Sequence, residues 1–181
     1  MKRIVLTCMF VAVALFLVTG CATAPKTAEG KAELNTKVQN AIDNAVKSDP
    51  GLKKFFDEAA GYAVFPTVGK GAVGVGGAYG RGELYESGQM VGYCTLTQAS
   101  IGLALGGQAY TELIFFETQA ALEKFKTGNF AFAAQASAVA LKSGASANAK
   151  YTDGVAVFTM GEAGLMYEAS IGGQKFNYRP K

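Results

Sequence analysis

The apolar pattern of the chain changes its period once, at Tyr62, and this change limits the folds that the chain can adopt. Before Tyr62, apolar residues recur at helical spacing over about residues 31–47, at Leu34, Val38, Ala41, Ile42, Ala45 and Val46. After it, apolar residues alternate with small or polar ones, which is typical of strands that bury one face. The sequence therefore predicts an α+β fold in which N-terminal helices cover a β-rich, antiparallel sheet system.

Capping residues mark the predicted helix boundaries. A second helix follows Asp49, which suits an N-cap, and Pro50, which suits the first helical position. Gly61 ends this helix. A short third helix is predicted between Thr118, as its cap, and Gly128, as its terminator.

Turn and breaker residues divide the rest of the chain into strands. Pro66 interrupts the first predicted strand, which indicates an edge or a bulge, and Ser87-Gly88 turns the chain into the next strand. The segment "AVFPTVGKG" at 63–71 resembles "AVFTMGEA" at 156–163 if Pro66 is skipped. This similarity predicts two similar β units that face each other as two β layers, although chance similarity in a chain of biased composition explains it equally well.

The stretch "VGKGAVGVGGAYGRG" at residues 68–82 holds seven glycines in fifteen residues, three of them spaced as G-x-G-x-x-G. A phosphate-binding loop with that spacing requires a helix N-terminus directly after it, whereas here the alternating pattern continues. We therefore interpret the stretch as a strand. Its even-numbered residues form a face that is nearly free of side chains. We expect another layer to pack closely at Gly74 and Gly76, with an open ligand groove as the alternative.

The N-terminus has the features of an export signal. Two basic residues precede an apolar run of 15 residues at positions 4–18, which is shorter than the ~20 residues that span a bilayer. The run ends in "VTGC" at 18–21, which resembles the bacterial lipobox. That resemblance implies a signal peptide over residues 1–20 and lipid modification of Cys21. An ordinary secretory signal with an incidental cysteine is the alternative.

The residues after the cysteine predict the compartment and the domain limits. Ala22 stands where an aspartate would favour inner-membrane retention, and the lipobox resemblance then implies an outer-membrane lipid anchor. Residues 21–30 are small and polar and contain proline and glycine, which predicts a flexible tether. Residues 31–181 are predicted to form a single domain, which would lie in the periplasm of the bacterial cell envelope.

Composition excludes several classes of function. Of the 17 basic residues two would leave with the signal, so with 14 acidic residues the mature chain carries a net charge of +1, too little for a nucleic-acid partner. The chain has no histidine, which removes the commonest general base and metal ligand. Cys94 lies in an apolar strand and is interpreted as a buried hydrophobic residue. The carboxylates are scattered, so we expect no catalytic residues, no metal, no cofactor and no enzymatic activity.

Four basic residues are candidates for binding anionic lipid headgroups. Lys53 and Lys54 lie on the second predicted helix, and Lys70 and Arg81 lie at the two ends of the glycine-rich strand. Arginine can grip a phosphate through paired N–H groups, whereas lysine acts as a point charge. The alternative is that all four are solvated surface charges, with the phenylalanines beside Lys54 in the core.

Several separate blocks of the sequence resemble the SYLF domain in order and spacing. They cover about residues 50–178 and include "GKGAVGVGGAYGRGELYE", "VGYCTLTQASIGLALGGQAYTELIFF", "LEKFKTGNFAFAAQASAVAL" and "GLMYEASIGGQKFNY". The resemblance implies a membrane-lipid-binding module with a β-rich, helix-covered fold. Eukaryotic members bind phosphoinositide membranes, and some associate with actin, which is not relevant in a bacterial periplasm. In these members an amphipathic N-terminal helix contributes to lipid binding, and the matching place here is residues 31–60.

Two classes of function remain open. The favoured one is a non-enzymatic lipid-binding module that is held at the membrane by acyl chains on Cys21 and recognises anionic lipid headgroups. The other is a structural or protein-interaction lipoprotein of the outer envelope with no specific lipid site. The sequence names no protein partner for either class.

Overall fold

A computed structural model describes residues 23–73, 75–101, 106–128, 130–133, 136–161 and 169–181. The α-helices of these ranges are α1 (Ala28–Ser48), α2 (Lys53–Glu58) and α3 (Gln119–Lys126). The strands are β1 (Gly61–Val73), β2 (Val75–Glu86), β3 (Gln89–Ile101), β4 (Gly106–Phe116), β5 (Ser137–Ala140), β6 (Val155–Gly161), β7 (Ala169–Ser170) and β8 (Lys175–Pro180). None of the helices in these ranges has the length and apolar character needed to cross a membrane.

Helix α1 begins three residues earlier than the sequence predicts. Thr27 is its N-cap, and the Thr27 hydroxyl accepts a hydrogen bond from the backbone N–H of Gly30 at 3.0 Å. Residues 28–30 are therefore helical and shorten the predicted tether. The apolar stripe of α1 is buried against the sheet through Leu34, Val38, Ala41 and Ala45. A fully buried leucine or valine contributes about 1.5–3 kcal/mol.

The predicted caps at Asp49 and Thr118 are confirmed, whereas Gly61 does not end the second helix, because α2 ends at Glu58 and Gly61 is the first residue of β1. The Asp49 carboxylate accepts a hydrogen bond from the N–H of Gly51 at 3.1 Å, at the start of a 3-10 turn (Pro50–Leu52) that leads into α2. The Thr118 hydroxyl accepts from a backbone N–H of the first turn of α3 at 3.3 Å. These caps pair N–H groups that have no partner within the helix.

The strands form one sheet in the order β7-β5-β6-β4-β1-β2-β3-β8. All neighbours are antiparallel except β5 and β6, which are parallel. The predicted turn at Ser87-Gly88 joins β2 to β3, and these residues have φ values of 50° and 74°, which suit a two-residue hairpin loop. The predicted irregularity at Pro66 is a register shift in β1 between Val64 and Thr67.

The glycine-rich stretch forms two strands rather than one. β1 ends at Val73 and β2 begins at Val75, and these residues are opposite each other in the hairpin. Residues that oppose each other in a ladder share a face of the sheet. The odd-numbered and even-numbered residues therefore stay on separate faces, as the alternation predicts.

Close packing occurs on the even-numbered face, at a later glycine than predicted. A methyl group added at Gly82 would lie 2.9 Å from Cδ1 of Phe65 and would also clash with the backbone of β1. On the odd-numbered face, a methyl group added at Gly71 would have no neighbouring atom within 4 Å. Gly74 and the surroundings of Gly76, where we expected close packing, lie outside the part of the chain that the structure describes.

The segment after α3 joins the two ends of the sheet. Phe130 and Phe132 form backbone hydrogen bonds of 3.1 to 3.2 Å with residues 173–176, at the start of β8. Further along the same segment, β5 pairs first with β7 and then with β6. The sheet therefore closes on itself and has an enclosed face and an outer face.

The α+β class is confirmed, with helices on a mainly antiparallel sheet. In place of the two facing β layers that we predicted, the strands form one continuous sheet. The two similar segments lie on β1 and β6, and both strands pair with β4. Because β4 lies between them, the two segments are in the same part of the sheet, two strand positions apart, and do not face each other.

An apolar cluster lies on each face of the closed sheet. The enclosed cluster includes Phe65, Leu96, Phe116, Phe125, Phe130 and Phe176. The outer cluster lies beneath α1 and α2 and includes Leu34, Val38, Phe55, Val64, Leu113, Phe115 and Phe158. Both faces of β4 are buried, which is typical of a strand with a continuous apolar run such as "LIFF".

A polar cluster holds α1 on the outer face. The buried Glu83 carboxylate accepts hydrogen bonds from Asn35 Nδ2 at 3.0 Å and from the Tyr85 hydroxyl at 2.7 Å. The Tyr85 hydroxyl in turn accepts from Gln39 Nε2 at 2.9 Å. Burial raises the pKa of the Tyr85 hydroxyl, and its hydrogen bond to Glu83 raises the pKa further. The cluster fixes both the position and the rotation of α1 on β2.

Candidate lipid-binding site

A slot of about 620 Å³ opens in the wall of the closed sheet between β6 and the segment that follows α3. The slot exists because β5 is short and diverges from β6. The two strands pair only where Val139 and Ala140 meet Phe158 and Thr159. Before these positions, no strand among the described residues pairs with the first half of β6 on this side, although β4 pairs with its other edge.

The floor of the slot consists of side chains from the enclosed cluster. They are Phe130, Phe132, Val155, Val157 and Ile171, and each is less than a tenth exposed. The slot therefore gives lateral access to the apolar inside of the sheet. Its volume lies within the range of about 300–1,000 Å³ that is usual for small-molecule sites.

Charged side chains stand at the rim of the slot. Lys124, on the exposed side of α3, and Lys150 contribute two positive charges, and Asp153 contributes one negative charge. Lys124 Nζ lies 5.9 Å from the centroid of the Phe130 ring, so the lysine stem covers apolar surface while its ammonium group remains in water. An apolar floor below a rim of net charge +1 suits an acyl chain with an anionic headgroup.

A second groove, of about 750 Å³, lies at the C-terminal end of α1. Lys47 and Lys142 line it, together with hydroxyl groups of Ser48, Thr111 and Ser143. Its described lining contains no carboxylate. None of the described residues that line this groove belongs to the enclosed cluster, so it suits a headgroup but not an acyl chain.

Lys53 and Lys54, predicted from sequence as headgroup ligands, are paired with carboxylates on α2. Lys53 Nζ lies 3.1 Å from Asp57, and Lys54 Nζ lies 3.9 Å from Glu58. Both pairs are exposed and contribute little stability, but they make the helix surface electrically neutral. The adjacent Phe55 belongs to the outer cluster, as the alternative interpretation of this segment predicts.

Lys70 and Arg81 lie on opposite faces of the sheet. Lys70 is opposite Ala78, a member of the enclosed cluster, whereas Arg81 is opposite Thr67 on the outer face. The Arg81 guanidinium is 6.0 Å from the centroid of the Tyr79 ring. The two cations therefore cannot form one headgroup site within this hairpin, although each stays a separate candidate.

The structure tests the prediction for one of the two cysteines of the predicted mature chain, Cys94, but not for Cys21. Cys94 is fully buried in the enclosed cluster, and burial raises the pKa of its thiol well above the usual value. The predicted burial of Cys94 among hydrophobic residues is confirmed. Cys21 and the lipobox-like stretch lie outside the described residues, so lipidation stays a prediction.

Sequence reasoning did not identify Lys124 and Lys150, because they lie in different parts of the chain and line the same slot only in the folded protein. One signal was available. The alternation of "GVAVF" places Val155 and Val157 on one face and Ala156 and Phe158 on the other. A strand with two apolar faces must be covered by other elements on both faces. The slot is an opening in this cover, and its position cannot be predicted from the local sequence pattern.

Comparisons with known proteins identify relatives. A family model described as Ysc84, Las17-binding protein actin regulator, matches residues 97–181. Beta cell expansion factor A of Aeromonas veronii is 32% identical over 158 residues, which cover 84% of this chain and 59% of that protein. The chain thus spans less than two thirds of the length of this relative.

Proposed function

Because the chain belongs to the SYLF (Ysc84) family, we propose that it is a lipid-binding module whose slot takes the acyl chain of an anionic lipid. Membership of this family supports a lipid-binding role. The observation that carries the finer proposal is the slot itself, with side chains of the enclosed cluster as its floor and Lys124 and Lys150 at its rim.

The two parts of the site contribute differently to binding. Transfer of an acyl chain from water contributes about 0.8 kcal/mol for each buried CH₂ group, so the slot supplies most of the affinity. Each lysine near an anionic lipid surface contributes about 1 kcal/mol. The lysines therefore select the sign of the headgroup rather than its detailed chemistry. The groove at Lys47 and Lys142 would bind a neighbouring headgroup of the same membrane.

The anchor completes the proposal. Acyl chains on Cys21 would hold the module at the outer membrane, on its periplasmic side. A tethered module meets lipid at a high effective concentration, so a weak site is sufficient. The role is non-enzymatic. The second candidate is a structural or interaction lipoprotein, which would need no occupied slot.

Binding of a monomeric lipid tests the proposal. Residues 22–181 contain both described apolar clusters and suit solution work. The chain has no tryptophan, so ¹⁵N-resolved NMR is a better probe than intrinsic fluorescence. Lysophosphatidylglycerol below its critical micelle concentration should shift the amide signals of Phe132, Val157 and Ile171. Lysophosphatidylcholine, which has no net charge, should bind several-fold more weakly.

Matched variants separate the candidate sites. Lys124→Gln with Lys150→Gln should weaken binding of the anionic lysolipid, whereas Lys53→Gln with Lys54→Gln should not, because those lysines are already paired. If lysolipid shifts no slot signals, the slot is not the lipid site. If no lipid binds at all, the interaction role becomes the better account.

A further inference from the structure

A polar cluster lies inside the otherwise apolar interior of the closed sheet. Gln174 Nε2 donates hydrogen bonds to Glu112 Oε2 at 2.9 Å and to the Tyr110 hydroxyl at 3.2 Å. Thr159 is the cross-strand partner of Glu112 on β6 and faces the same interior. Glu112, Thr159 and Gln174 are fully buried.

Three side-chain oxygens of the cluster lack a partner. Among the described residues, Glu112 Oε1, Thr159 Oγ1 and Gln174 Oε1 have no hydrogen-bond partner. A carboxylate can only accept hydrogen bonds, whereas a protonated Glu112 carries an O–H group and can also donate one. A proton on Glu112 therefore helps to satisfy the buried acceptors of the cluster.

The surroundings favour a protonated Glu112. Burial raises the pKa of the Glu112 carboxyl to about 8, and hydrogen bonds from Gln174 and Tyr110 oppose this rise. The side chains that face Glu112 from β1 and β6, Phe65 and Thr159, are neutral. No described lysine or arginine pairs with it. The other described titratable side chains on the enclosed face of the sheet, or near the ends of the enclosed space, are Lys70, Glu86, Cys94, Lys126 and Tyr178.

Gln174 also fixes one wall of the slot. Its backbone C=O accepts a hydrogen bond from the N–H of Phe132 at 3.1 Å, and its N–H donates to the C=O of Ile171 at 3.1 Å. Phe132 and Ile171 both line the slot. The residue that binds Glu112 is therefore the residue to which this wall is attached.

We propose that Glu112 and Gln174 form a proton-dependent latch on the slot. The protonated carboxyl pairs with the amide and holds Gln174, and with it Phe132 and Ile171, in the closed arrangement. Loss of the proton leaves a negative charge in the apolar interior with no described cation to neutralise it, so arrangements that admit water to Glu112 are favoured and the wall loosens. That the slot takes a lipid rests on the proposed function, whereas the latch rests only on the polar cluster of Glu112 and Gln174.

Hydrogen exchange of the Phe132 amide tests the latch directly, because this N–H bonds to Gln174. Protection, corrected for the intrinsic exchange rate at each pH, is compared at pH 6.5 and pH 9 in residues 22–181. In the wild-type protein, the protection factor of the Phe132 amide should be at least tenfold lower at pH 9 than at pH 6.5. Glu112→Gln keeps a neutral group that can pair both ways with Gln174, and its protection should change less than twofold. Equal loss in both proteins would overturn the proposal.

A second variant covers the case in which Glu112→Gln does not fold. Gln174→Met keeps the volume of the side chain but removes the pair, so Phe132 should exchange rapidly at both pH values. If Phe132 in this variant is as well protected as in wild type at pH 6.5, the latch does not exist.

The lipid arm uses lysophosphatidylglycerol, whose phosphodiester keeps its charge across this pH range. Its association rate should rise several-fold from pH 6.5 to pH 9 in wild type but not in Glu112→Gln. An equal rise in both would overturn the link between the latch and the slot. A pH-dependent protection difference without any lipid binding would support the latch and count against the proposed function.

Discussion

Gln174 donates to Glu112 at 2.9 Å across the inside of the closed sheet, although the two residues lie 62 positions apart in the sequence. Gln174 stands just before β8 and Glu112 in the middle of β4, so this bond connects two parts of the sheet that are not neighbours in the strand order. A buried carboxyl without a cation is tolerated when it is neutral and hydrogen-bonded. Stability should therefore depend on its proton.

The free energy of unfolding should fall as pH rises from about 5 to 8. The pKa of Glu112 is about 8 in the folded protein, against 4.5 for an ordinary glutamate, so between these values the folded state holds a proton that the unfolded state has released. Stability is then lost at up to about 1.4 kcal/mol per pH unit and levels off above pH 8. Denaturant titrations at pH 5 to 9 measure this slope.

Glu112→Gln is the control for this slope, because its neutral amide does not titrate. Its stability curve should diverge from the wild-type curve as pH rises. The pKa values of Asp49 and Glu86 are lowered, so both carboxyls titrate below this window and do not mask the effect. Parallel curves for the two proteins would show that Glu112 does not hold a proton at neutral pH.

Gly82→Ala should destabilise the hairpin of β1 and β2. The added methyl group would meet Phe65 Cδ1 at 2.9 Å and the backbone of β1, and overpacking of this kind costs about 1–3 kcal/mol. Gly71→Ala is the matched control, since its methyl group would meet nothing within 4 Å. Thermal melting should separate the two variants. A Gly82→Ala protein as stable as Gly71→Ala would show that β1 and β2 are not packed this closely.

Tyr85→Phe should loosen α1. The change removes the donor to Glu83 and the acceptor for Gln39, and buried partners left unpaired cost about 1–3 kcal/mol. Tyr151→Phe is the control, because no hydrogen bond of its hydroxyl is found among the described residues. Hydrogen exchange of α1 amides should increase only in Tyr85→Phe. Unchanged exchange would place the attachment of α1 elsewhere, in its apolar stripe.

Lipidation is tested in cells. The lipobox-like residues 18–21 predict that the wild-type precursor incorporates labelled palmitate and is cleaved before Cys21. Cys21→Ser should be neither labelled nor cleaved at that place. A serine variant that still incorporates palmitate would exclude Cys21 as the anchor.

Local features of the fold could be predicted from sequence, because they depend on neighbouring residues. The caps at Asp49 and Thr118, the turn at Ser87-Gly88 and the irregularity at Pro66 all follow from the geometry of one or two side chains. The closure of the sheet could not. It depends on pairing between the segment after α3 and β8, which no local pattern encodes.

The candidate site was harder to predict than the fold. Lys70 has an even number and Arg81 an odd one, and the hairpin keeps even-numbered and odd-numbered residues on separate faces of the sheet. The sequence therefore already indicated that these two side chains lie on opposite faces. Glu112 also left a signal, since it shares parity with Ile114 and Phe116 in a strand that is otherwise apolar. Its partner Gln174 comes from the chain closure, and that contact could not be predicted.

The central claim is that the module binds anionic lipid through the slot, and vesicle co-sedimentation of residues 22–181 tests it most directly. Phosphatidylglycerol vesicles should bind the protein at low salt, and binding should fall as salt rises, because screening shortens the reach of exposed charges to about 8 Å at physiological strength. Lys124→Gln with Lys150→Gln should weaken binding without lowering the melting temperature, and Lys53→Gln with Lys54→Gln should not weaken it. Failure of the wild-type protein to sediment with anionic vesicles at low salt would contradict the account.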